Sequence, residues 1–182
     1  MPDEMVIRHC APTLASLKTG SLFSCAYETT QELYDSIRSL NKRLCGKGLR
    51  VLPLRCKKGR CLVYVYRPGK LHEDFRDERV CRILRACGYV CEGTDRCVKR
   101  LIERLQESEE FPHEIGLFLG YPPEDVEGFM YRKNEAKCTG FWKVYGDVEA
   151  AQKTFARYQK CTDVYLRQHA DGKAIERLTV AV

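Results

Sequence analysis

Two pairs of neighbouring residues in this sequence could carry acid–base or thiol chemistry, His9-Cys10 and His113-Glu114. A neutral imidazole beside a thiol or a carboxylate can act as a general base, activate a nucleophile or bind a metal ion. However, adjacent residues on a helix do not face each other, and the His-Glu-x-x-His motif of metalloproteases is absent from the sequence. Capping of a helix end with an exposed imidazole explains either histidine as well.

Lysine and tyrosine side chains interrupt apolar segments at four further positions, Lys18, Tyr121, Lys143 and Tyr145. In the segment 141–145, strand alternation places Lys143 and Tyr145 on the same face as Phe141. An ammonium group and a phenol hydroxyl on an otherwise apolar face could hold an anionic ligand. The alternative is that both side chains lie at the margin of a sheet with their polar tips in water.

Eleven cysteines are present, and no Cys-x-x-Cys spacing occurs. Structural zinc sites usually contain cysteine pairs separated by only a few residues, and iron–sulfur sites are comparably compact. In the central group of Cys81, Cys87, Cys91 and Cys97, only the middle pair comes that close. Free thiols pack as small apolar side chains. We therefore expect reduced, packed thiols and no metal site, and Cys10, beside His9, is the one thiol that stays a candidate for chemistry.

Nucleotide and nucleic-acid binding have little support in the sequence. Neither a Gly-x-x-x-x-Gly-Lys-Ser/Thr loop nor a Gly-x-Gly-x-x-Gly fingerprint occurs. Leu62, Tyr64 and Tyr66 fall on one face of a predicted strand, loosely like the stacking strand of an RNA-recognition motif, but its glycine–aromatic core is missing. Core packing is the alternative role of these side chains. The formal net charge of +6 could attract RNA or other anions, although solvation of the surface also explains it.

The first half of the chain predicts two helices and three strands. A helix is expected over 4–19, with Pro12 in its first turn, and a strand over 21–27. The capping box over 29–32 opens an amphipathic helix whose inner face is Leu33, Ile37, Leu40 and Leu44. Strands over 50–56 and 61–67 form a hairpin, and Pro53 restricts the first of them to an edge or a bulge.

The second half predicts helices separated by one strand. One helix ends at Gly88, and the next begins at Thr94 or Asp95. A short apolar helix and a second helix beginning near Pro123 follow, then a strand over 141–145 and a long helix that ends at Gly172. The predicted order of elements is α-β-α-β-β-α-α-α-β-α.

This order favours an α+β fold in which a small antiparallel or mixed sheet of about four strands packs with several helices. The length of 182 residues is that of one ordinary domain, so we expect a single domain over 1–182. The N-terminus lacks the apolar core of a secretory signal, and no apolar run approaches the roughly 20 residues that cross a bilayer. We expect a cytoplasmic location.

Four segments of the sequence are distinctive: His9-Cys10-Ala11-Pro12-Thr13-Leu14, Lys18-Thr19-Gly20-Ser21-Leu22-Phe23, residues 111–122 and Trp142-Lys143-Val144-Tyr145-Gly146-Asp147. Together they resemble the signatures of an uncharacterised Firmicutes family, domain of unknown function 3793, over nearly the whole chain. The resemblance implies no established activity, substrate or cofactor. It implies clostridial, mostly anaerobic hosts, which fits the many thiols, and an accessory role in redox or metal handling.

The predicted ligand site consists of the polar residues that these segments share: His9, Cys10, Lys18, His113, Glu114, Tyr121, Lys143 and Tyr145. We expect a binding or accessory protein for a small anionic ligand, an acidic partner or a redox partner protein. The alternatives are an enzyme that uses the His-Glu or His-Cys pair and an RNA-binding protein. The sequence identifies no catalytic residue or cofactor, and we expect neither a nucleic acid nor a membrane as partner.

Overall fold

A computed structural model describes residues 1–108 and 110–182. The helices are α1 (Asp3–Leu14), α2 (Thr30–Leu44), α3 (Pro68–Asp74), α4 (Glu78–Ala86), α5 (Thr94–Glu107), α6 (Ile115–Phe118), α7 (Pro123–Tyr131), α8 (Val148–Ala170) and α9 (Ile175–Leu178). The strands are β1 (Gly20–Ala26), β2 (Arg50–Lys57), β3 (Arg60–Tyr66), β4 (Cys138–Thr139) and β5 (Lys143–Val144). Small antiparallel sheets among helices confirm the predicted α+β class.

The chain divides into two compact units. The first unit contains Met1–Gly69 and Lys160–Val182, and the second unit contains Lys70–Gln159. The boundaries between them fall within α3 and α8. That the two units form a single domain stays a prediction from the sequence.

The first unit is built on a three-stranded antiparallel sheet in the order β1-β3-β2. Helix α1 contacts β1 and β3, α2 contacts β2, and α9 contacts α1. The outer position of β2 and the register shift between Pro53 and Arg55 confirm that this strand is a bulged edge. The core includes Val6, Ile7, Leu14, Phe23, Leu33, Ile37, Leu40, Leu44, Val51, Val63, Val65, Ile175 and Leu178.

Helix α2 follows its predicted pattern and is fixed to the edge strand. The Thr29 hydroxyl accepts a hydrogen bond from the Glu32 amide at 3.2 Å, which satisfies one of the free donors of the first turn. Asn41, near the other end, bonds both backbone groups of Val51 through its amide, at 2.8 and 2.9 Å. Asn41 therefore takes the place of a neighbouring strand at this point of β2.

Helix α1 is shorter than predicted and ends at Leu14. Pro12 lies in its last turn, and the predicted place in a first turn is wrong. The Pro12 carbonyl accepts hydrogen bonds from the amides of Leu17 and Lys18, at 2.8 and 3.1 Å. These bonds close a turn with Ser16 at a φ of +58°, and the chain enters β1 at Gly20.

The two tyrosine side chains of β3 stack on each other. The rings of Tyr64 and Tyr66 stack at 4.5 Å and are nearly parallel, and both residues are buried. Stacking on RNA bases requires exposed ring faces. The strand that loosely resembled an RNA-recognition motif does not offer them.

The second unit contains the strand β5, which is shorter than the strand predicted over 141–145. It pairs with β4 in a separate two-stranded sheet and does not join the three-stranded one. The Gly140 amide bonds the Trp142 carbonyl at 3.0 Å, so the residues before Lys143 form the turn between the two strands. No pattern in the sequence predicted strand β4 or helix α3.

Helix α7 lies directly against the segment that follows β5. A Cβ atom added at Gly128 would lie 2.2 Å from Cγ and 2.5 Å from Cβ of Tyr145. No side chain fits in this space, and the atoms in the way lie at the base of the tyrosine, where they cannot swing aside. The glycine therefore sets how closely α7 and Tyr145 approach.

We expect Gly128→Ala to lower the free energy of unfolding by roughly 1 to 3 kcal/mol, because the overpacking outweighs the better helix propensity of alanine. Gly69→Ala is the matched control, since a Cβ atom added at Gly69 in α3 meets nothing within 4 Å. The control should be neutral or slightly stabilising. Urea unfolding of both variants measures the difference, and equal stabilities would contradict the close approach.

Candidate functional site

Two of the distinctive segments meet at α7 in the second unit, and Asp125 on this helix binds the segment 142–147. This carboxylate is buried and accepts three hydrogen bonds: from the indole Nε1–H of Trp142 at 2.7 Å and from the amides of Tyr145 and Gly146 at 2.7 and 2.8 Å. Charge-assisted bonds of this kind are stronger than neutral ones. Asp125 therefore holds the segment 142–146 against α7.

Four of the predicted site residues surround α7 as a result. The edge of the His113 ring packs on Phe129 at 4.9 Å, and Lys143 Nζ lies 5.6 Å from the centre of the same ring. Tyr121 stacks on Trp142 at 4.8 Å, and Tyr145 covers Gly128. His113, Tyr121, Lys143 and Tyr145 thus belong to one neighbourhood. They are held largely by packing, and burial raises the pKa of Tyr121 to about 12.

Glu114 lies just before α6 and makes its polar contacts with Tyr89 and Arg104. It is only 3% exposed, and its Oε1 accepts a hydrogen bond from the Tyr89 hydroxyl at 2.9 Å. Arg104 Nε lies 2.9 Å from the same oxygen. The Nε–H direction falls outside hydrogen-bond geometry, so this contact is an ion pair. Burial, followed by the Glu114 charge, raises the pKa of Tyr89, which keeps its hydroxyl protonated as a donor.

A cavity of about 320 Å³ opens beside this ion pair, and we call it the Arg104 pocket. Helix α5, the segment before α6 and the end of α7 form its walls. Its lining residues are Cys87, Arg104, Glu107, Ser108, Glu110, Phe111, Pro112, His113, Glu114, Met130 and Tyr131. The volume lies at the lower end of the range for small-molecule sites, roughly 300 to 1,000 Å³.

Among the described lining residues, Arg104 is the one arginine or lysine, and two contacts hold its side chain in place. Besides the Glu114 ion pair, its Nη1 donates to the Cys87 carbonyl at 2.9 Å. Its Nη2 makes no hydrogen bond to any residue that the structure describes. A guanidinium group presents its donors in a fixed fork that suits a carboxylate. The pocket therefore contains a positioned donor for an anionic group.

Acidic side chains surround the rest of the pocket. Glu107 is already bonded to Arg100, at 3.1 and 3.2 Å, while Glu110 is exposed. These carboxylates disfavour a ligand with several negative charges, because like charges repel at short range. A single carboxylate at Arg104 with a neutral or cationic remainder fits the arrangement.

The other three predicted residues belong to the first unit. The His9 ring stacks on Phe23 at 5.3 Å. Cys10 is fully buried, Lys18 is 8% exposed, and the buried hydroxyls of Thr13 and Ser21 share a hydrogen bond of 2.8 Å. Apart from His9, which is exposed, the polar residues of the first two distinctive segments are buried.

Burial of Cys10 and Lys18 favours their neutral forms. It raises the pKa of the Cys10 thiol to about 12, which outweighs the opposing effects of the Lys18 charge and a hydrogen bond to Ser21. It also lowers the pKa of Lys18 to about 8. A reactive cysteine needs an accessible thiolate. The position of Cys10 does not suit the nucleophilic role expected for it.

The sequence did not indicate Arg104, Cys87, Met130 or Asp125 as site residues. Arg104 is one of many charged residues of an amphipathic helix, and only the fold shows which of them faces Glu114. For Asp125, the position in the first turn of a predicted helix indicated no more than a favourable dipole contact.

Thiols gather more closely than their spacing suggested. The Cys91 thiol is within hydrogen-bonding reach of the thiols of Cys81 and Cys97, while Cys87 lies beside the Glu114 carboxylate. Across residues 1–108 and 110–182, no group of three or more His, Cys, Asp or Glu side chains could hold a metal ion. In the same residues, no helix combines the length and the apolar character that a membrane span requires.

The family model described as "Protein of unknown function (DUF3793)" matches residues 6–179. The chain belongs to the DUF3793 family. This confirms the resemblance seen in the four distinctive segments, while the Firmicutes origin stays a prediction. No curated protein and no solved structure matches the chain. Membership of the DUF3793 family brings no activity with it, so the geometry of the chain itself must support any function.

We expect the wild type to gain stability relative to Lys18→Met as the pH rises from about 8 to about 10. In this window the unfolded chain keeps a proton on Lys18, with a pKa of about 10.4, that the folded chain has largely lost. The gain approaches about 1.4 kcal/mol per pH unit at most. Urea unfolding at several pH values measures it. Lys42→Met, at an exposed position, is the control, and a pH-independent difference for Lys18→Met would contradict the lowered pKa.

Proposed function

We propose that the protein is a binding protein whose Arg104 pocket takes a small monocarboxylate with an apolar body, such as an amino acid with an apolar side chain. The observation that carries this proposal is the Arg104 side chain. Glu114 and the Cys87 carbonyl hold it, and it keeps one guanidinium nitrogen for a ligand. This agrees with the small anionic ligand expected from the sequence, although the residue that would bind it is a different one.

The arrangement of charges in the pocket supports a buried carboxylate contact. Glu114 neutralises the arginine and keeps its guanidinium oriented before a ligand arrives. Preorganisation of this kind lowers the cost of binding, because the side chain does not have to be ordered by the ligand. A carboxylate bound at Arg104 would leave the Glu114 ion pair intact.

The other lining residues of the pocket determine which chemical groups the rest of the ligand can have. Phe111, Pro112 and Met130 offer apolar contacts to a hydrocarbon body. Glu107 and Glu110 lie where an ammonium group would be attracted and a second carboxylate repelled. An amino acid with an apolar side chain satisfies all three conditions, whereas a nucleotide or a polyphosphate does not.

Catalysis by the same residues has less support. His113 packs on Phe129 and makes no hydrogen bond to a nucleophile within the described part of the chain. Burial and the nearby Glu114 charge raise the pKa of the Cys87 thiol, which keeps it neutral. A general base needs a proton donor within reach, and a thiol that attacks a substrate first needs an accessible thiolate. The geometry therefore favours binding over an enzymatic reaction.

We expect isothermal titration calorimetry of the whole chain to detect binding of leucine, methionine or phenylalanine, and weaker binding of the corresponding amides. Loss of a charge-assisted hydrogen bond should weaken binding at least about tenfold, because such bonds contribute roughly 1.5 to 3 kcal/mol. Equal affinity for acid and amide would contradict a contact with Arg104. The absence of binding by every small carboxylate tested would overturn the proposal.

Arg104→Lys is the decisive variant, because lysine keeps a positive charge for Glu114 but has no second nitrogen in the place of Nη2 to bind the carboxylate. It should remain folded and lose the tenfold preference for the acid over the amide. Arg96→Lys is the matched control, since Arg96 lies on the same helix, pairs with Glu92 and does not line the pocket. Its affinities should equal those of the wild type.

A further inference from the structure

Three cysteines form a row across the sheet of the first unit. Cys61 on the central strand β3 lies directly opposite Cys25 on β1 and directly opposite Cys56 on β2. Residues opposite each other in an antiparallel sheet share one face. The spacing of these cysteines along the chain gives no metal-binding pattern, but the strand register brings all three thiols together.

The turn between β2 and β3 fixes the geometry of the Cys56–Cys61 pair. Lys58 and Gly59 both have a positive φ, +51° and +72°, which is typical of a two-residue type I′ hairpin turn. Lys57 and Arg60 flank the turn as a hydrogen-bonded pair, so Cys56 and Cys61 form the next, non-hydrogen-bonded pair. Such pairs have a Cα separation of roughly 4.5 Å, within the disulfide range of roughly 4.4 to 6.8 Å.

Cys25 lies on the other side of Cys61 and is less well placed for a disulfide. The Gly59 carbonyl accepts a hydrogen bond from the Tyr27 amide at 3.0 Å, so the backbone groups of Gly59 point toward β1. By strand alternation those of Cys61 do the same, which makes Cys25 and Cys61 a hydrogen-bonded pair with a wider separation, roughly 5.5 Å. Cys56 is the closer partner, and its thiol is within hydrogen-bonding reach of Cys61.

The two thiols also differ in accessibility. Cys56 is exposed near the end of the hairpin, whereas Cys61 is fully buried beneath the sheet face. A reagent in solution reaches Cys56 first, and Cys61 is protected from direct attack. Burial also raises the pKa of the Cys61 thiol, so the accessible Cys56 thiol is the one that attacks first.

We propose that Cys56 and Cys61 form a dithiol–disulfide exchange site for small-molecule disulfides. The Cys56 thiolate attacks one sulfur of the disulfide R–S–S–R, forms a mixed disulfide and releases one RS⁻ group. The Cys61 sulfur then attacks Sγ of Cys56, forms the Cys56–Cys61 bond and releases the second RS⁻ group. The two protons of the protein thiols end on the two released thiols. The protein is thereby oxidised by two electrons, and the small disulfide is reduced.

The experiment uses the reduced whole chain, kept without oxygen, with oxidised glutathione as the probe. We expect release of two glutathione thiols per chain and an intact mass lower by two hydrogens. Trypsin cuts after Arg55, Lys57 and Arg60, so the disulfide should link the peptide Cys56-Lys57 to the peptide that begins at Cys61. Oxidation that maps to other cysteines, or a Cys25–Cys61 link with Cys56 free, would overturn the proposal.

Variants separate the two steps. Cys56→Ser should slow the release of glutathione at least about tenfold, because the accessible thiol is gone. Cys61→Ser should stop the reaction at a mixed disulfide on Cys56, with one glutathione released. Cys138→Ser, on β4 of the second unit, is the control and should react as the wild type. An unchanged rate in Cys56→Ser would rule out this site.

Discussion

A buried arginine fastens the parts of the first unit to one another. Arg67 follows β3 directly and is only 2% exposed. Its guanidinium donates to the carbonyls of Thr13 and Leu14 at the end of α1, of Lys47 after α2, and of Val180 near the C-terminus, at 2.7 to 3.1 Å. Carbonyl groups at helix ends lack partners within their own helix. One side chain therefore satisfies acceptors from three separate segments, and its loss would leave them unpaired in the core.

In the second unit, the buried Asp125 carboxylate links separate segments as the Arg67 guanidinium does in the first unit. The Asp125 carboxylate accepts two backbone amides and an indole, while Arg67 donates only to backbone carbonyls. An isolated buried charge is costly unless polar groups surround it. Both charges are stabilised mainly by backbone groups, whose positions depend on the correct fold. Glu114 differs, because an arginine side chain compensates it and remains available to a ligand.

The sequence predicted those elements whose signals are local. The capping box of α2 and the β2–β3 hairpin occur as expected, because both depend on residues within a few positions of each other. The end of α1 was misplaced, since the bonds that close it run back from Leu17 and Lys18 to Pro12. A strand over 141–145 was predicted, but no local pattern encodes the pairing of β5 with β4 or its contact with α7.

The candidate site shows the same limit. The resemblance to the DUF3793 family singled out His113 and Glu114, and both line the pocket. That Arg104 lines it as well is visible only in the fold. The position of Cys56 opposite Cys61 was within reach of sequence reasoning, since a two-residue turn between them sets their register. The net positive charge belongs to the first unit, with sixteen Lys and Arg against eight Asp and Glu, and not to the unit that contains the pocket.

The division of the chain has a consequence for the order of folding during synthesis. The second unit is continuous in sequence, and all of it is synthesised before residues 160–182 of the first unit. The sheet of the first unit lacks Ile175 and Leu178 until then, and Arg67 lacks the Val180 carbonyl. Because the core of the first unit includes residues from both sides of the second unit, the first unit can fold cooperatively only after residues 160–182 have been synthesised.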